Sequence, residues 1–524
     1  MGPRSIAPTP EGVNARRACY RADPQTMRLA YFSPLPPQRS GIADYSAELL
    51  PVLAQHLEVE PFVDEGVKVA PDIAARFPVR GERAFPALWE SGRYDAVLYH
   101  LGNNADYHAR AWRMAMRIPG IVVLHEPMLH HLVRGMTLAR GDLAGYVEEM
   151  RYAYGRTGEA LARRSLGSGI PLDPWSYPLF ERAVDASLGL IVHNDCTRNR
   201  VLASRPEARI VKVPHHLSLG APGGAPVHSP EQATGRAAVQ APEGAAQGEM
   251  DRRALRARLG LPAAGLLVAS FGFITPAKRL DVALRAFARL RREVAPDALY
   301  LLVGDVSPYY DFANVLTPEL SAGVVRVGHA ELPQFLRTMA AVDVTINLRY
   351  PSAGETSGTL IRLLGLGKAV IVSNTGAFAE IPDGCCAKID LDAAEEDLLF
   401  ATLRALATDP ELRRRMGENA RRHIAAHHTL AGSARAYAEW VREIVALRPE
   451  PFHPVPPLAP YPPEDVLSDL AAAVAAEAVD LGAGRGGKED TDEKDAKDGT
   501  DTEEELLRAV AAVMVELGLA GDRL

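Results

Sequence analysis

Short, nearly continuous apolar runs alternate with longer stretches of three-to-four spacing along most of this chain. The first half carries Arg28–Phe32, Val59–Val63, Ala96–His100, Ile121–His125, Gly189–His193 and Ile210–Val213. The second carries Leu266–Phe271, Leu299–Val303, Val324–Val327, Val342–Leu348 and Ala369–Ser373. Runs this short and this rich in Val, Ile and Leu are the mark of strands buried on both faces of a parallel sheet. Between them lie helix candidates such as Tyr45–His56, Leu280–Glu293 and Thr359–Gly367. The alternation predicts an α/β protein built from doubly wound sheets with right-handed crossovers.

The alternation stops once. Residues 220–250 are Ala, Gly, Pro, Gln and Glu without periodicity, a linker or surface loop between two α/β units. The expected plan is an arm over 1–26, a first Rossmann-like domain over 27–219, the linker, a second Rossmann-like domain over 251–430, and a helix over 431–448. A Pro-rich and acidic tail over 449–524 follows, with two short helices at Pro463–Asp480 and Thr502–Leu519.

Composition changes this picture little. With 47% hydrophobic and 24% charged residues in 524, the chain can bury sizeable cores and is not a disordered protein. The net charge of −8 gives no basic field for nucleic acid. Most of that charge sits between Lys488 and Glu505, where ten acids face three lysines. Cys19, Cys196, Cys385 and Cys386 form no C-x-x-C pair, and the expected compartment is a reducing cytoplasm. No apolar run reaches the length of a membrane span.

In doubly wound sheets, ligands bind beyond the carboxyl ends of the strands, so the loops there carry the candidate chemistry. After the first strand, Gly41 opens a helix where a ligand can approach the backbone and helix amides can hold an anion. His125 and Glu126 follow the fourth run, with His130 and His131 beyond. A strand-end histidine can bond a sugar hydroxyl or move a proton, and it can equally be structural. The spacings match no compact zinc pattern. Lys278 lies near a helix start, where a lysine suits a phosphate, although a single lysine is more often simply solvated. The most informative stretch runs from Asn347 to Arg362. Ser357 can cap a helix there, the amides of Gly358, Thr359 and Leu360 form an anion site, and Arg349 can fork onto phosphate oxygens. Glu355 is a carboxylate in the same loop, suited to hydroxyl groups or a developing cation. It would also be favourable merely as a first-turn acid.

Taken together, these stretches resemble a glycosyltransferase of the GT-B architecture, in particular the large retaining family 4. The resemblance rests on Ser40-Gly-Ile-Ala-Asp-Tyr45, Leu124-His-Glu126, Val213-Pro-His-His216, Gly272-Phe-Ile-Thr-Pro-Ala-Lys278, Gly354-Glu-Thr-Ser-Gly358 and the run from Gly365 to Gly376. It covers about residues 27–448. It implies two Rossmann-like domains facing across a cleft, with the last helix crossing back to the first. It also implies a hexosyltransferase-type enzyme of class EC 2.4 with retention, no cofactor and no essential metal. The donor would be a nucleotide diphosphate sugar and the acceptor a glycan or lipid-linked molecule. Carried over by position, Lys278 would hold the donor diphosphate and Glu355 the sugar hydroxyls. His125 would contact the sugar from the opposite domain, and Gly41 would lie near diphosphate and acceptor. The amides after Gly358 would receive phosphate oxygens.

Two positions depart from that family. The second glutamate of its usual pair, a ribose ligand, is here Leu363. The arginine that often follows the first glycine of the lysine loop is here Phe273. Arg349 or Arg362 is the expected replacement for the lost charge. The departures keep other readings in view: a GT-B epimerase or phosphorylase-like enzyme, or a non-catalytic binding or assembly protein. A lipid-linked acceptor would place the protein at the inner face of a membrane as a peripheral protein, and the tail is a candidate site for a protein partner.

Overall fold

The computed structural model describes residues 27–219 and 245–453. The arm over 1–26, the linker over 220–244 and the tail from 454 onward, with its two expected helices, lie outside the described residues.

The first sheet has seven strands: β1 (Arg28–Phe32), β2 (Glu58–Val63), β3 (Arg80–Gly81), β4 (Ala96–Leu101), β5 (Ile121–Leu124), β6 (Gly189–Val192) and β7 (Ile210–Lys212). Their order is β3-β2-β1-β4-β5-β6-β7, and every pairing is parallel. The second sheet has six: β8 (Leu267–Phe271), β9 (Leu299–Val303), β10 (Val324–Gly328), β11 (Val344–Asn347), β12 (Ala369–Ser373) and β13 (Ala387–Ile389). It repeats the scheme, also all parallel, as β10-β9-β8-β11-β12-β13. In both sheets the winding reverses between the first strand and the fourth, which opens a crevice at the strand ends.

Burial follows the pleat. In the second sheet Val268, Tyr300, Leu302, Ile346 and Ile371 face one core. Their alternates Leu267, Ala269, Leu301, Val303, Val370 and Val372 face another. Helices covering both faces force both alternating sets to be apolar, hence the continuous runs. The edge strand β10 is partly exposed along its whole length.

Helix Gly41–Leu53 starts four residues before the expected Tyr45, because Ser40 caps it by accepting from the Ile42 amide. Helix Gly358–Gly365 likewise ends two residues before the expected Gly367. Helix Ala245–Arg258 begins inside the segment read as linker to 250, since Ala245, Ala246 and Gln247 are good helix formers. Helix Leu280–Glu293 has the bounds its periodicity predicts, burying Leu280, Ala283, Leu284, Phe287 and Leu290.

The chain passes from the second sheet back to the first through helix Leu430–Leu447. Tyr437, Trp440, Val441 and Ile444 of this helix belong to the core beneath β1 and helix Gly41–Leu53. Each such large apolar side chain stabilises by roughly 1.5–3 kcal/mol. The helix rests so closely on β6 that a β-carbon at Gly189 would lie 2.7 Å from Ile444 Cδ1. Where the chain crosses between sheets, the Leu217 amide donates to the His428 carbonyl at 2.7 Å and Ser433 Oγ donates to the Pro214 carbonyl at 2.9 Å. Among the described residues no helix is long and apolar enough to cross a membrane.

Candidate active site between the two sheets

A cleft of about 1380 Å³ opens between the strand ends of the two sheets. From the first domain it is lined by the loop and helix start after β1, including Gly41 and Asp44, by Asn103 after β4, by His125 and Glu126 after β5, and by His215 after β7. From the second it is lined by Gly272 and Phe273, by Gly304 and Asp305, by His329 and Glu331, and by Glu355, Gly358, Thr359 and Arg362.

Lys278 is 8% exposed, and its ammonium donates to the Phe271 carbonyl instead of standing free in the cleft. A short 3₁₀ turn over Pro276–Lys278 folds it inward. It still reaches the cleft wall at one point. A β-carbon on Gly272, whose φ is +86°, would lie 3.3 Å from Lys278 Nζ and 3.6 Å from Thr359 Oγ1. Only glycine leaves that gap open, with an ammonium and a hydroxyl on its border. Burial, aided by Arg349, holds the Lys278 pKa well below that of an ordinary amine, and Glu355 opposes this. An anion entering the gap would favour the charged form of Lys278.

Helix Gly358–Gly365 points its first turn at the same region. Ser357 Oγ accepts from the Leu360 amide at 3.2 Å. This corrects the expectation of three open amides: Leu360's is already used, which leaves those of Gly358 and Thr359 for a ligand. Arg349 lies 3.0 Å from Glu355 Oε1 in an ion pair that is off line for a hydrogen bond. The other carboxylate oxygen, Glu355 Oε2, is buried and has no hydrogen-bond partner among the described residues. Arg362 donates to Glu48 Oε1 at 2.8 Å. Neither arginine is therefore a free substitute for the charge absent at Phe273. Phe273 itself is 53% exposed on the cleft wall. Leu363 is 1% exposed in the core and cannot touch a ligand.

His125 lines the cleft, but both of its ring nitrogens are engaged by other histidines. His193 Nδ1 lies 2.9 Å from the Val213 carbonyl, so it must carry a proton. Burial lowers the His193 pKa to about 4, so the ring is neutral and its Nε2 is bare. Nε2 then accepts from His125 Nδ1 at 3.2 Å. His125 is also kept neutral, by burial first and by its histidine neighbours next. Its Nε2 accepts from His100 Nδ1 at 2.9 Å. The relay ends at His100 Nε2, which is buried and without a partner among the described residues. His125 is thus locked in one tautomer and presents no spare nitrogen to the sugar that the resemblance assigns it. Among the described residues no three His, Cys, Asp or Glu side chains are placed to hold a metal ion. These imidazole nitrogens face each other in pairs.

Three acids had no role assigned from the sequence. Glu48, on helix Gly41–Leu53, is buried and bonds both Arg362 and His216 Nε2, the latter at 3.2 Å. Burial raises the Asp44 pKa to about 6, Arg362 opposing it and Glu48 and Glu331 adding to it. Burial, followed by the charge of Glu355, raises Glu126 to about 8. Glu126 was legible as the residue after a strand-end histidine. Glu48 had no signal, because it sits within an ordinary helical pattern.

The two domains also touch beside the cleft. Asn194 Nδ2 and Thr197 Oγ1 each donate to the Gly354 carbonyl at 2.9 Å. Glu380 accepts from the amides of Asp195 and Cys196, at 2.9 and 2.6 Å, at the start of helix Asp195–Ser204.

HepE of Anabaena, solved with UDP and glucose, superposes with a TM-score of 0.51 at 15% identity, covering 80% of this chain and 100% of that one. A glycosyltransferase from Rickettsia africae gives 0.53 at 13% identity, over 80% and 99%. The fold is GT-B. Sucrose-phosphate synthase from Thermosynechococcus elongatus gives 0.51 at 15%, over 80% and 100%. Residues 251–423 match the family described as glycosyl transferases group 1. They span most of the second domain of this GT-B chain, including Lys278, Glu355 and the helix after Ser357. No curated protein matches the chain.

Proposed function

We propose that this GT-B protein transfers a sugar from a nucleotide diphosphate sugar to a glycan, lipid-linked or similar hydroxyl acceptor, with retention and without an essential metal. The observation that carries this reading is the border of one gap, Lys278 Nζ and Thr359 Oγ1 beside Gly272, in the cleft that Glu355 also lines with an oxygen that has no hydrogen-bond partner among the described residues. Cation and amides suit a diphosphate, and a bare buried carboxylate oxygen suits a sugar hydroxyl.

In the reaction the bond from anomeric carbon to phosphate oxygen breaks, and the leaving diphosphate gains negative charge. Lys278 and the amides of Gly358 and Thr359 are fixed where that charge develops, so little reorganisation is needed. The acceptor oxygen bonds to the anomeric carbon on the face the diphosphate leaves, and the acceptor's proton passes to the departing phosphate oxygen. Glu355 holds the sugar in place during the exchange.

The test is thermal stabilisation by uridine, guanosine, adenosine and thymidine diphosphates and their sugars, with and without chelator. A ligand at 100 times its Kd adds about 2.7 kcal/mol. Stabilisation by one nucleotide class, unaffected by chelator and lost in Lys278→Ala, is expected. No stabilisation by any nucleotide would overturn the reading. The buried Leu363 and exposed Phe273 favour one second reading, a GT-B protein that binds donor without turnover. Donor binding with no sugar transfer to any acceptor would establish that instead.

A further inference from the structure

Glu126 has no part in the mechanism above, yet its surroundings are as constrained as those of Glu355. Its Oε1 accepts from the Asn103 amide at 3.2 Å. Asn103 is itself fixed, its side-chain oxygen accepting from the amides of His131 and Leu132 at 3.0 and 3.3 Å. The loop that carries Glu126 is pressed against the loop that carries Glu355. A β-carbon on Gly354 would stand 2.9 Å from both Cγ and Cδ of Pro127. The two carboxyl groups are each one residue from this contact, and both line the cleft. The charged groups that act on Glu126 are Glu355 and Arg349, both from the second domain. Arg349 is already paired with Glu355. The imidazoles of the adjoining relay are neutral.

Because Arg349 already pairs with Glu355, a second carboxylate at Glu126 would face that pair with no cation of its own. The arrangement is relieved if one of the two carboxyl groups keeps its proton. Burial and the charge of Glu355 both favour the protonated form of Glu126, whose pKa lies at about 8. A protonated carboxyl can donate where a carboxylate can only accept.

We propose that Glu126 is a further sugar-contacting residue, a carboxylic acid that donates a hydrogen bond to a hydroxyl of the transferred sugar while Glu355 accepts from one across the cleft. The inference rests on the glycosyltransferase reading and deepens it. It assigns Glu126 to the sugar and not to the nucleotide, which lets the two claims be separated.

The probes are UDP and UDP-glucose, or the corresponding pair of whichever base stabilises the protein. The quantity read is the ratio of the two affinities between pH 6 and 9.5, by calorimetry on the full chain. In the wild type the sugar's contribution should be constant at low pH and fall above about pH 8 as Glu126 ionises. Glu126→Gln keeps a donor at every pH, so its ratio should stay near the low-pH wild-type value and lose the alkaline fall. Glu126→Ala should lower the ratio roughly 2–10-fold at pH 7, the worth of one neutral hydrogen bond. If the Gln variant keeps the wild-type pH profile, or the wild-type ratio does not change with pH, the inference is overturned while the donor-binding reading stands. If the wild type binds no nucleoside diphosphate, both are overturned.

Discussion

Replacing Gly354 by alanine should damage stability and sugar binding together. Two separate costs arise at that position. The first is backbone: Gly354 has a φ of +82°, where an L side chain costs about 1–2 kcal/mol. The second is steric: the new β-carbon would lie 2.9 Å from two ring carbons of Pro127, atoms with no rotamer to swing away. Overpacking of this kind costs roughly 1–3 kcal/mol. A combined loss of about 3 kcal/mol corresponds to a fall in Tm of roughly 6–12 °C for domains of this size. The two terms can be told apart. Pro127→Ala removes the ring, so the Gly354→Ala change should cost about 1–2 kcal/mol in that background, the backbone part alone. The contact sits between the loops of Glu126 and Glu355, so affinity for UDP-sugar should fall more than affinity for UDP in the single variant. Measuring Tm and both affinities for the four members of the cycle tests this. A neutral Gly354→Ala, or a cost unchanged by removing the Pro127 ring, would refute the argument that the two loops are in fixed contact.

Other consequences are simpler to state. Glu48→Ala leaves Arg362 and His216 facing a buried vacancy. Removing one partner of a buried pair costs roughly 3–5 kcal/mol, and a melting experiment should show it, with much of the loss absent when Arg362→Ala is already present. Asp44 has a folded pKa raised from 3.8 to about 6, so the folded state binds the extra proton and stability falls as pH rises through that window. Asp44→Asn removes the penalty. It should raise Tm at pH 7, by up to roughly 3 kcal/mol in stability, and leave it unchanged at pH 3, and equal gains at both pH values would contradict this. His193→Ala leaves the His125 Nδ1–H buried without an acceptor, a cost of about 1–3 kcal/mol. His193→Gln, which offers an oxygen in that region, should recover part of that loss in the same melting assay.

The architecture was largely written in the hydrophobic pattern, because strands buried on both faces must be apolar throughout. Eleven runs sufficed to place eleven strands. The two that were missed, Arg80–Gly81 and Ala387–Ile389, are too short to carry a pattern and exist because a neighbouring strand offers a ladder. The candidate site was legible to the extent that strand ends determine location: His125, Lys278 and Glu355 all lie at the facing ends of the two sheets. Their states were not legible. Whether Lys278 faces solvent or the Phe271 carbonyl depends on a three-residue turn. Whether His125 has a free nitrogen depends on His100 and His193, residues 25 and 68 positions away. Side-chain direction and partner choice are tertiary facts, and spacing along the chain does not encode them.

The helix Leu430–Leu447 gives this protein an awkward order of synthesis. Ribosomes add roughly 5–20 residues per second, so more than two hundred residues beyond β7 take on the order of tens of seconds. Through that interval the nascent first domain has every strand of its sheet but lacks Tyr437, Trp440, Val441 and Ile444, which close its core. A trough of apolar side chains stays open to solvent while the second domain is made, and the first is sealed only once helix Leu430–Leu447 has emerged. A fragment ending at residue 219 would keep that trough permanently. Work on the isolated first domain would therefore require grafting the helix onto it.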